Sequence, residues 1–298
     1  MTEPEMIEPS IKPEPFIRLI ATDLDGTLLH SDRTVSARTR AALDAARAAG
    51  LTVVPITARQ PNGLRLIADE AGFDSHAICG NGAHGVRLNP DGTFETLFEE
   101  HLGVRAQTRL AHALLAARPE VRFASVRAGG SVFVGQEGYA ELADYQDHKR
   151  HPHELGRHTL EEVLGASSLK FIARSPLISP RELHAEVQKL GLDQSGPDGF
   201  WATHSGAPFL EVLAPGVHKA WGLARLCALN AVQAGEVLAF GDATNDAEML
   251  RWAGRGVAMA NAEPEALEAA DEVTLSNDED GVAVVIERLL EDRLEGNA

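Results

Sequence analysis

Apolar runs alternate with alanine-rich amphipathic stretches along most of the chain. Phe16–Ala21 is an apolar run stopped by polar residues, the pattern of a strand buried on both faces. Ser36 stands where a helix N-cap is expected, helical sequence runs on to Ala49, and Gly50 occupies the stop position. Leu51–Ile56 is a second buried-strand run, with Pro55 speaking against perfect ladder pairing. Asn62–Ala71 reads as a helix and His76–Cys79 as a short strand. This order predicts βαβ units around a parallel sheet.

The middle of the chain changes pattern. Val86–Leu88 and Thr93–Phe98 flank the turn signal Asn89-Pro90-Asp91-Gly92. Val104–Ala117 reads as a helix, and Val121–Val126 and Ser131–Val134 as paired strands around Gly129-Gly130. A strand at Leu169–Ala173, a helix over 180–190, and strands around Trp201 and at Phe209–Leu213 follow. After Pro215-Gly216 the alternation returns: helix 219–229, strand 237–240, helix 246–253, strand 256–259, helix 264–270, strand 272–275 and a last helix. The chain therefore reads as an α/β core with an α+β insert. The expected boundaries are a disordered tail at 1–15, a core at 16–84 and 215–298, and an insert at 85–214.

Composition narrows the function classes. The 298 residues carry 27 basic and 44 acidic side chains, a net charge of −17, which argues against a nucleic-acid binder or docking on anionic membranes. No apolar run approaches the ~18 residues a spanning helix needs. The acidic, proline-rich start has no basic or apolar leader region, so a cytoplasmic location is expected. Cys79 and Cys227 make no disulfide framework and read as small core residues. Most of the charge lies on the tail and on residues 261–298, which alone carry −10, while the two core segments up to residue 260 balance. Nothing in the composition calls for an obligate protein partner.

In open parallel sheets ligands bind beyond the carboxyl ends of the strands. The first buried run ends in Asp23-Leu24-Asp25-Gly26-Thr27, the second in Thr57-Ala58-Arg59, the third in Gly80-Asn81-Gly82, and 237–240 in Gly241-Asp242-Ala243-Thr244-Asn245-Asp246. Acids gathered at one edge repel one another and are usually tolerated around a divalent cation. Thr57, Asn245 and Lys219, one of only five lysines, add hydrogen-bond donors and positive charge. Acids, a hard cation and donors are what a phosphoryl group requires.

Asp23-Leu24-Asp25-Gly26-Thr27-Leu28, Val54-Pro55-Ile56-Thr57-Ala58-Arg59, Val217-His218-Lys219-Ala220 and Gly241-Asp242-Ala243-Thr244-Asn245-Asp246 resemble, in order, the four motifs of haloacid dehalogenase superfamily hydrolases. Ile78-Cys79-Gly80-Asn81-Gly82-Ala83 resembles the Asn-Gly-Ala loop of the Cof-type subfamily IIB phosphatases, which carry a C2B cap. Ala58 and Ala220 stand for usual glycines and His218 for a usual serine, adding bulk beside the phosphate site. The 32 positions from Asp25 to Thr57 leave no room for a large cap, whereas the 162 from Thr57 to Lys219 do, which is the C2 arrangement.

The resemblance implies a Rossmann-like core with a parallel sheet and an inserted α+β cap that covers the site. It implies Mg²⁺-dependent hydrolysis of a small phosphorylated metabolite, with sugar phosphates as the leading class. Asp23 would be the nucleophile and Asp25 the general acid and base. The ion would be held by the Asp23 carboxylate, the Asp25 carbonyl and Asp242, with Asp246 acting through water or by orienting Lys219. Thr57 and Asn245 would bond phosphate oxygens, and Lys219 would screen their charge. Asn81, His204 and His218 are candidates for substrate contact. Trp201 and Phe209 face substrate or fill the cap core, and Arg59 supports the hinge or core or has a phosphate role. His148, His151, His153 and His158 lack a cysteine or tight acid partner and read as a solvated loop rather than a metal site. The alternatives are a phosphotransferase or phosphomutase of the same superfamily, or a catalytically silent ligand-binding protein.

Overall fold

The first buried run forms β1 (Leu19–Thr22), with all four residues buried. In the computed structural model, which describes residues 16–192 and 195–296, Phe16 lies outside this strand, 71% exposed, with the Arg293 guanidinium 4.7 Å from its ring centroid. The expected tail at 1–15 lies outside the described residues. There follow α1 (Ala37–Ala48), β2 (Thr52–Pro55), α2 (Pro61–Ala71), β3 (His76–Cys79), β4 (His84–Leu88) and β5 (Phe94–Glu99). Ser36 caps α1 by accepting the Thr39 N–H, and Gly50 takes the left-handed conformation (φ +82°) that ends it.

The insert comprises α3 (Val104–Ala117), β6 (Arg122–Arg127), β7 (Val132–Gly135), α4 (Tyr145–His148), α5 (Leu160–Leu164), β8 (Lys170–Arg174), α6 (Pro180–Lys189), β9 (Trp201–Thr203) and β10 (Leu210–Leu213). The chain then returns through α7 (Lys219–Leu229), β11 (Val237–Gly241), α8 (Ala247–Trp252), β12 (Arg255–Ala258), α9 (Pro264–Ala269), β13 (Glu272–Val273) and α10 (Gly281–Gly296).

The core sheet has the order β13-β12-β11-β1-β2, parallel throughout. Strand alternation divides its side chains between two layers. Ile20 packs with the α1 and α10 side, among Leu43, Val285 and Ile286. Leu19 and Ala21 pack with the α7 and α8 side, among Leu223 and Leu250. Pro55 is accommodated in β2 because the β1-facing bond is made by the next residue: the Ile56 N–H donates to Thr22 O, while Thr57 N–H donates to Ile78 O on the other side. The proline nitrogen faces that second side, where pairing begins only at the Ile56–Ile78 bridge.

The hairpin β4–β5 pairs antiparallel with β3, and β3 bridges the end of β2. The boundary expected at residue 85 therefore falls inside β4, and the hairpin continues the core's own sheet edge. The turn residues 89–92 were visible, but a hairpin made by a core strand looks the same in sequence as one made by an insert. A separate antiparallel sheet, β7-β6-β8-β10-β9, carries α3 and α6 on one face. Its other face, with Val126, Ile172 and Phe209, looks toward the carboxyl edge of the core sheet. Among the described residues, no helix is long and apolar enough to cross a membrane.

Candidate active site

Asp23 leaves β1 with its N–H donating to Phe240 O on β11 at 3.0 Å, so the two central strands deliver their acids side by side. The loop after it folds back on itself, Leu29 N–H donating to Leu24 O at 2.9 Å. Gly26 is required in this turn. Its φ is +86°, and a Cβ there would stand 2.3 Å from Asp242 Oδ2. The Thr27 hydroxyl donates to Asp242 Oδ1 at 2.6 Å and fixes that carboxylate.

Lys219, the first residue of α7, is fully buried. Its Nζ stands 2.8 Å from Asp23 Oδ1 and 2.6 Å from Asp246 Oδ1. The other Asp246 oxygen accepts the N–H groups of Asp242 (3.1 Å) and Ala243 (3.0 Å). Asp246 thus spends both oxygens holding Lys219 and the Asp242 backbone. Gly82 keeps the α7 start close, because a Cβ there would stand 2.2 Å from His218 O.

Electrostatics explain why this cluster invites a cation. Burial, then the charges of Asp246 and Asp242, push the Asp23 carboxyl well above the usual range, against the pull of Lys219. Burial and Asp246 push Asp242 up to about 7. Burial would lower the Lys219 ammonium, but Asp23 and Asp246 outweigh it and raise it. Keeping both acids ionised takes more positive charge than one lysine supplies. Oxygens of Asp23, Asp242 and Asp246 lie within 4.8 Å of one another. An all-carboxylate oxygen set of this kind suits a hard divalent cation.

Asp25 sits at the mouth, its carboxylate gripped by Arg59, whose Nε donates to Oδ2 at 2.7 Å. Burial would raise the Asp25 carboxyl, but the Arg59 hydrogen bond and charge hold it below the ordinary value. Arg59 therefore serves the site rather than only a hinge. Thr57, buried after β2, and Asn245 line the same cavity, and Asn245 Oδ1 is buried without a protein partner.

The cavity measures about 550 Å³ and is roofed by the insert. The cap contributes Phe133, His148, Phe209, Lys170 and Glu211 to its walls. Lys170 Nζ donates to Glu211 Oε1 at 2.6 Å and to Ala58 O at 3.1 Å. His148 stacks on Phe209 (ring centroids 4.9 Å apart) and bonds the Tyr139 hydroxyl.

Three residues expected to contact substrate do not line the cavity. His204 is buried against His184 rather than in the cavity, because the chain turns toward the core only at the next residue, Ser205. His218 is the N-cap of α7: its ring nitrogen accepts the Trp221 N–H and its ring lies 5.1 Å from that of Trp201. Asn81 is buried below the cavity, joining Asn245 to Glu211. Trp201 packs beside Leu213 and Val217, while Phe209 reaches the cavity. The histidine stretch does not converge: His151 stacks on His153 and His158 faces Glu162, whereas His148 enters the cavity wall.

The sequence reading missed Lys170 and Glu211. Both had a signal, being lone charges inside apolar strands, Leu169-Lys170-Phe171 and Leu210-Glu211-Val212. A charge in such a run needs a buried partner.

Comparison with known proteins gives the family. The sequence profile of haloacid dehalogenase-like hydrolases matches residues 20–286, and the chain belongs to that family. It is similar to the putative phosphatase YxeH of Bacillus subtilis (30% identity; 92% of this chain, 98% of the relative). It is also similar to the 5-amino-6-(5-phospho-D-ribitylamino)uracil phosphatase YbjI of Escherichia coli (32%; 92% and 96%). Among solved structures, a haloacid dehalogenase-like hydrolase from B. subtilis superposes with a TM-score of 0.72 at 26% identity (92% and 100% covered). The HAD subclass IIB sugar phosphatase BT4131 shares the fold with a TM-score of 0.73 at 24% identity (91% and 98%).

Proposed function

We propose that this hydrolase cleaves phosphate monoesters of small metabolites through an aspartyl-phosphate. The observation that carries the reading is Asp23, which lines the covered cavity while the fully buried Lys219 Nζ behind it stands between Asp23 and Asp246. An Asp23 oxygen attacks phosphorus as the bond to the leaving oxygen breaks, and Asp25 gives that oxygen a proton. Because Arg59 holds the Asp25 carboxyl below its ordinary range in the open site, the acid step requires substrate to draw Arg59 away and let Asp25 take up that proton. Asp25, then a carboxylate, takes a proton from water as the water oxygen attacks the same phosphorus and frees the Asp23 carboxylate. Thr57 and Asn245 donate to phosphate oxygens, and Lys219 offsets the charge shared by phosphate and nucleophile.

Asp23 and Asp242, with the Asp25 carbonyl, would hold Mg²⁺. The ion would supply Lewis-acid stabilisation of the phosphoryl charge. Asp246 would keep Lys219 and the Asp242 backbone in place. The 550 Å³ cavity suits a metabolite-sized leaving group, with sugar phosphates and the phosphorylated ribitylamino-uracil of YbjI as first choices. A cytoplasmic location is part of this reading.

The test is p-nitrophenyl phosphate turnover with Mg²⁺, comparing wild type with Asp23→Asn. Turnover lost in the variant supports the mechanism; a wild-type rate in Asp23→Asn ends it. Asp23, Asp25, Lys219, Asp242 and Asp246 are all present, which disfavours a silent ligand-binding role.

A further inference from the structure

Most charged side chains in the cavity wall are matched. Asp25 has Arg59, Asp147 has Arg174, Glu211 has Lys170, and Glu263 accepts from the Thr244 N–H and hydroxyl. Three cations in the same wall, Arg33, Lys149 and Arg150, form no ion pair among the described residues. Arg33 belongs to the core and Lys149 to the cap, yet both donate to one neutral oxygen, Gln146 Oε1, with Lys149 Nζ at 2.5 Å. Arg150 donates to the backbone oxygens of Gly130 and Ser131, each at 2.8 Å.

Two like charges crowded onto one uncharged acceptor repel each other. Lys149 ends α4 as a left-handed C-cap (φ +54°), and Arg33 is left-handed as well (φ +69°), which fixes where the two side chains start. The Lys149 ammonium is held below its usual range, by burial first and then by Arg33 and Arg59. Asp25 and Asp144 act on Lys149 electrostatically, yet neither forms an ion pair with it among the described residues. Arg33 and Lys149 also act electrostatically on Asp25, the residue on the leaving-group side.

We infer that Arg33 and Lys149, backed by Arg150, form a subsite for a second anionic group, phosphate or carboxylate, at the far end of the leaving group. The inference rests on the phosphatase reading for which phosphate is cleaved. The ligand bridges core and cap, so the second anion draws the two units together over the reacting phosphate.

The test compares paired probes. Fructose 1,6-bisphosphate is set against fructose 6-phosphate, and 6-phosphogluconate against glucose 6-phosphate. Wild type is expected to favour at least one doubly anionic member by tenfold or more in kcat/KM, chiefly through KM. The first pair reads phosphate and the second carboxylate. The Arg33→Gln, Lys149→Gln double variant should bring the preference near unity, and the charge-keeping Arg33→Lys, Lys149→Arg variant should retain most of it. Equal kcat/KM within both pairs in wild type, or a preference that survives loss of both charges, overturns the subsite.

Calorimetric binding of fructose 1,6-bisphosphate and 6-phosphogluconate to Asp23→Asn protein, with and without the two Gln substitutions, reads the subsite without turnover. Binding of either probe weakened tenfold by the substitutions supports it, and unchanged binding of both overturns it. If wild type turns over no phosphate ester, the phosphatase reading falls, and this binding result still decides the subsite.

Discussion

Glu211, on the inserted sheet, accepts the side-chain amide of Asn81 on the core at 2.9 Å. The same carboxylate takes Lys170 Nζ at 2.6 Å and the Ser205 hydroxyl at 2.6 Å. Asn81 in turn accepts from Asn245, a phosphate-site candidate, at 2.9 Å. Cap and candidate phosphate site therefore share one buried polar chain, and a cap in another position would leave its members unpaired.

The cost of breaking that chain follows from burial. Glu211→Ala strands Lys170 in a dry interface and should lower unfolding free energy by about 3–5 kcal/mol. The Lys170→Met, Glu211→Leu double variant removes both charges and should recover part of the loss. Recovery stays incomplete because Asn81 and Ser205 still lack an acceptor, at about 1–3 kcal/mol each. Urea unfolding of Lys170→Met, Glu211→Leu and their double variant, taken as a cycle, measures the pair, with Glu211→Ala as the reference for the stranded lysine. A double variant no more stable than Glu211→Ala would refute the pairing.

Lys219 neutralises two buried acids at once, so its removal acts on both turnover and stability. Lys219→Ala should cut p-nitrophenyl phosphate turnover by about 10²-fold or more. It should also cost about 3–5 kcal/mol of stability, because Asp23 and Asp246 stay buried without their counter-charge. Lys219→Arg should not rescue turnover, since a planar guanidinium is bulkier than the ammonium that fits, fully buried, between two carboxylates. Full activity in either variant contradicts the role.

What could be read in advance was set by local grammar. Asp23, Asp25, Thr57, Lys219, Asp242 and Asp246 each follow a strand or open a helix, and the carboxyl edge of a parallel sheet brings such positions together. The cap's contribution was harder to read, because its sheet is buried on both faces. Phe171 packs under α3 and α6 while Ile172 faces the core, and both are apolar, so alternation does not reveal the facing side. His218 illustrates another limit. Its ring satisfies a helix N–H, a role that residue type alone leaves open. Arg33 and Lys149 meet only because cap and core are apposed, which no local pattern encodes.

The Thr27 hydroxyl is a test of the cation site that avoids the acids themselves. It fixes Asp242 at 2.6 Å without taking part in the proposed reaction. Removing a group that orients a metal-holding carboxylate typically costs about 10–100-fold in metal affinity. Thr27→Val should therefore raise the Mg²⁺ concentration for half-maximal turnover by that factor and leave turnover at saturating Mg²⁺ closer to wild type. EDTA should abolish wild-type turnover, and excess Mg²⁺ should restore it. An unchanged Mg²⁺ requirement in Thr27→Val would remove Asp242 from the cation site.

His148 carries the clearest pH signature. Burial against Tyr139, Phe133 and Phe209 disfavours its charged form, and the nearby Lys170, Arg174 and Arg150 add to this, lowering its pKa from 6.5 to about 3. The unfolded chain therefore binds a proton at His148 between those two values while the folded chain does not. The unfolded state holding more protons means that stability rises with pH. The contribution is fully present above about 6.5 and is lost progressively as pH falls toward about 3. His148→Phe keeps the stack on Phe209 and removes the titration. Its unfolding free energy should fall less steeply than that of wild type between pH 6.5 and pH 4, although it forfeits the Tyr139 hydrogen bond at every pH. Denaturant unfolding at a series of pH values compares the two slopes, and parallel curves would show that His148 is not held neutral in the fold.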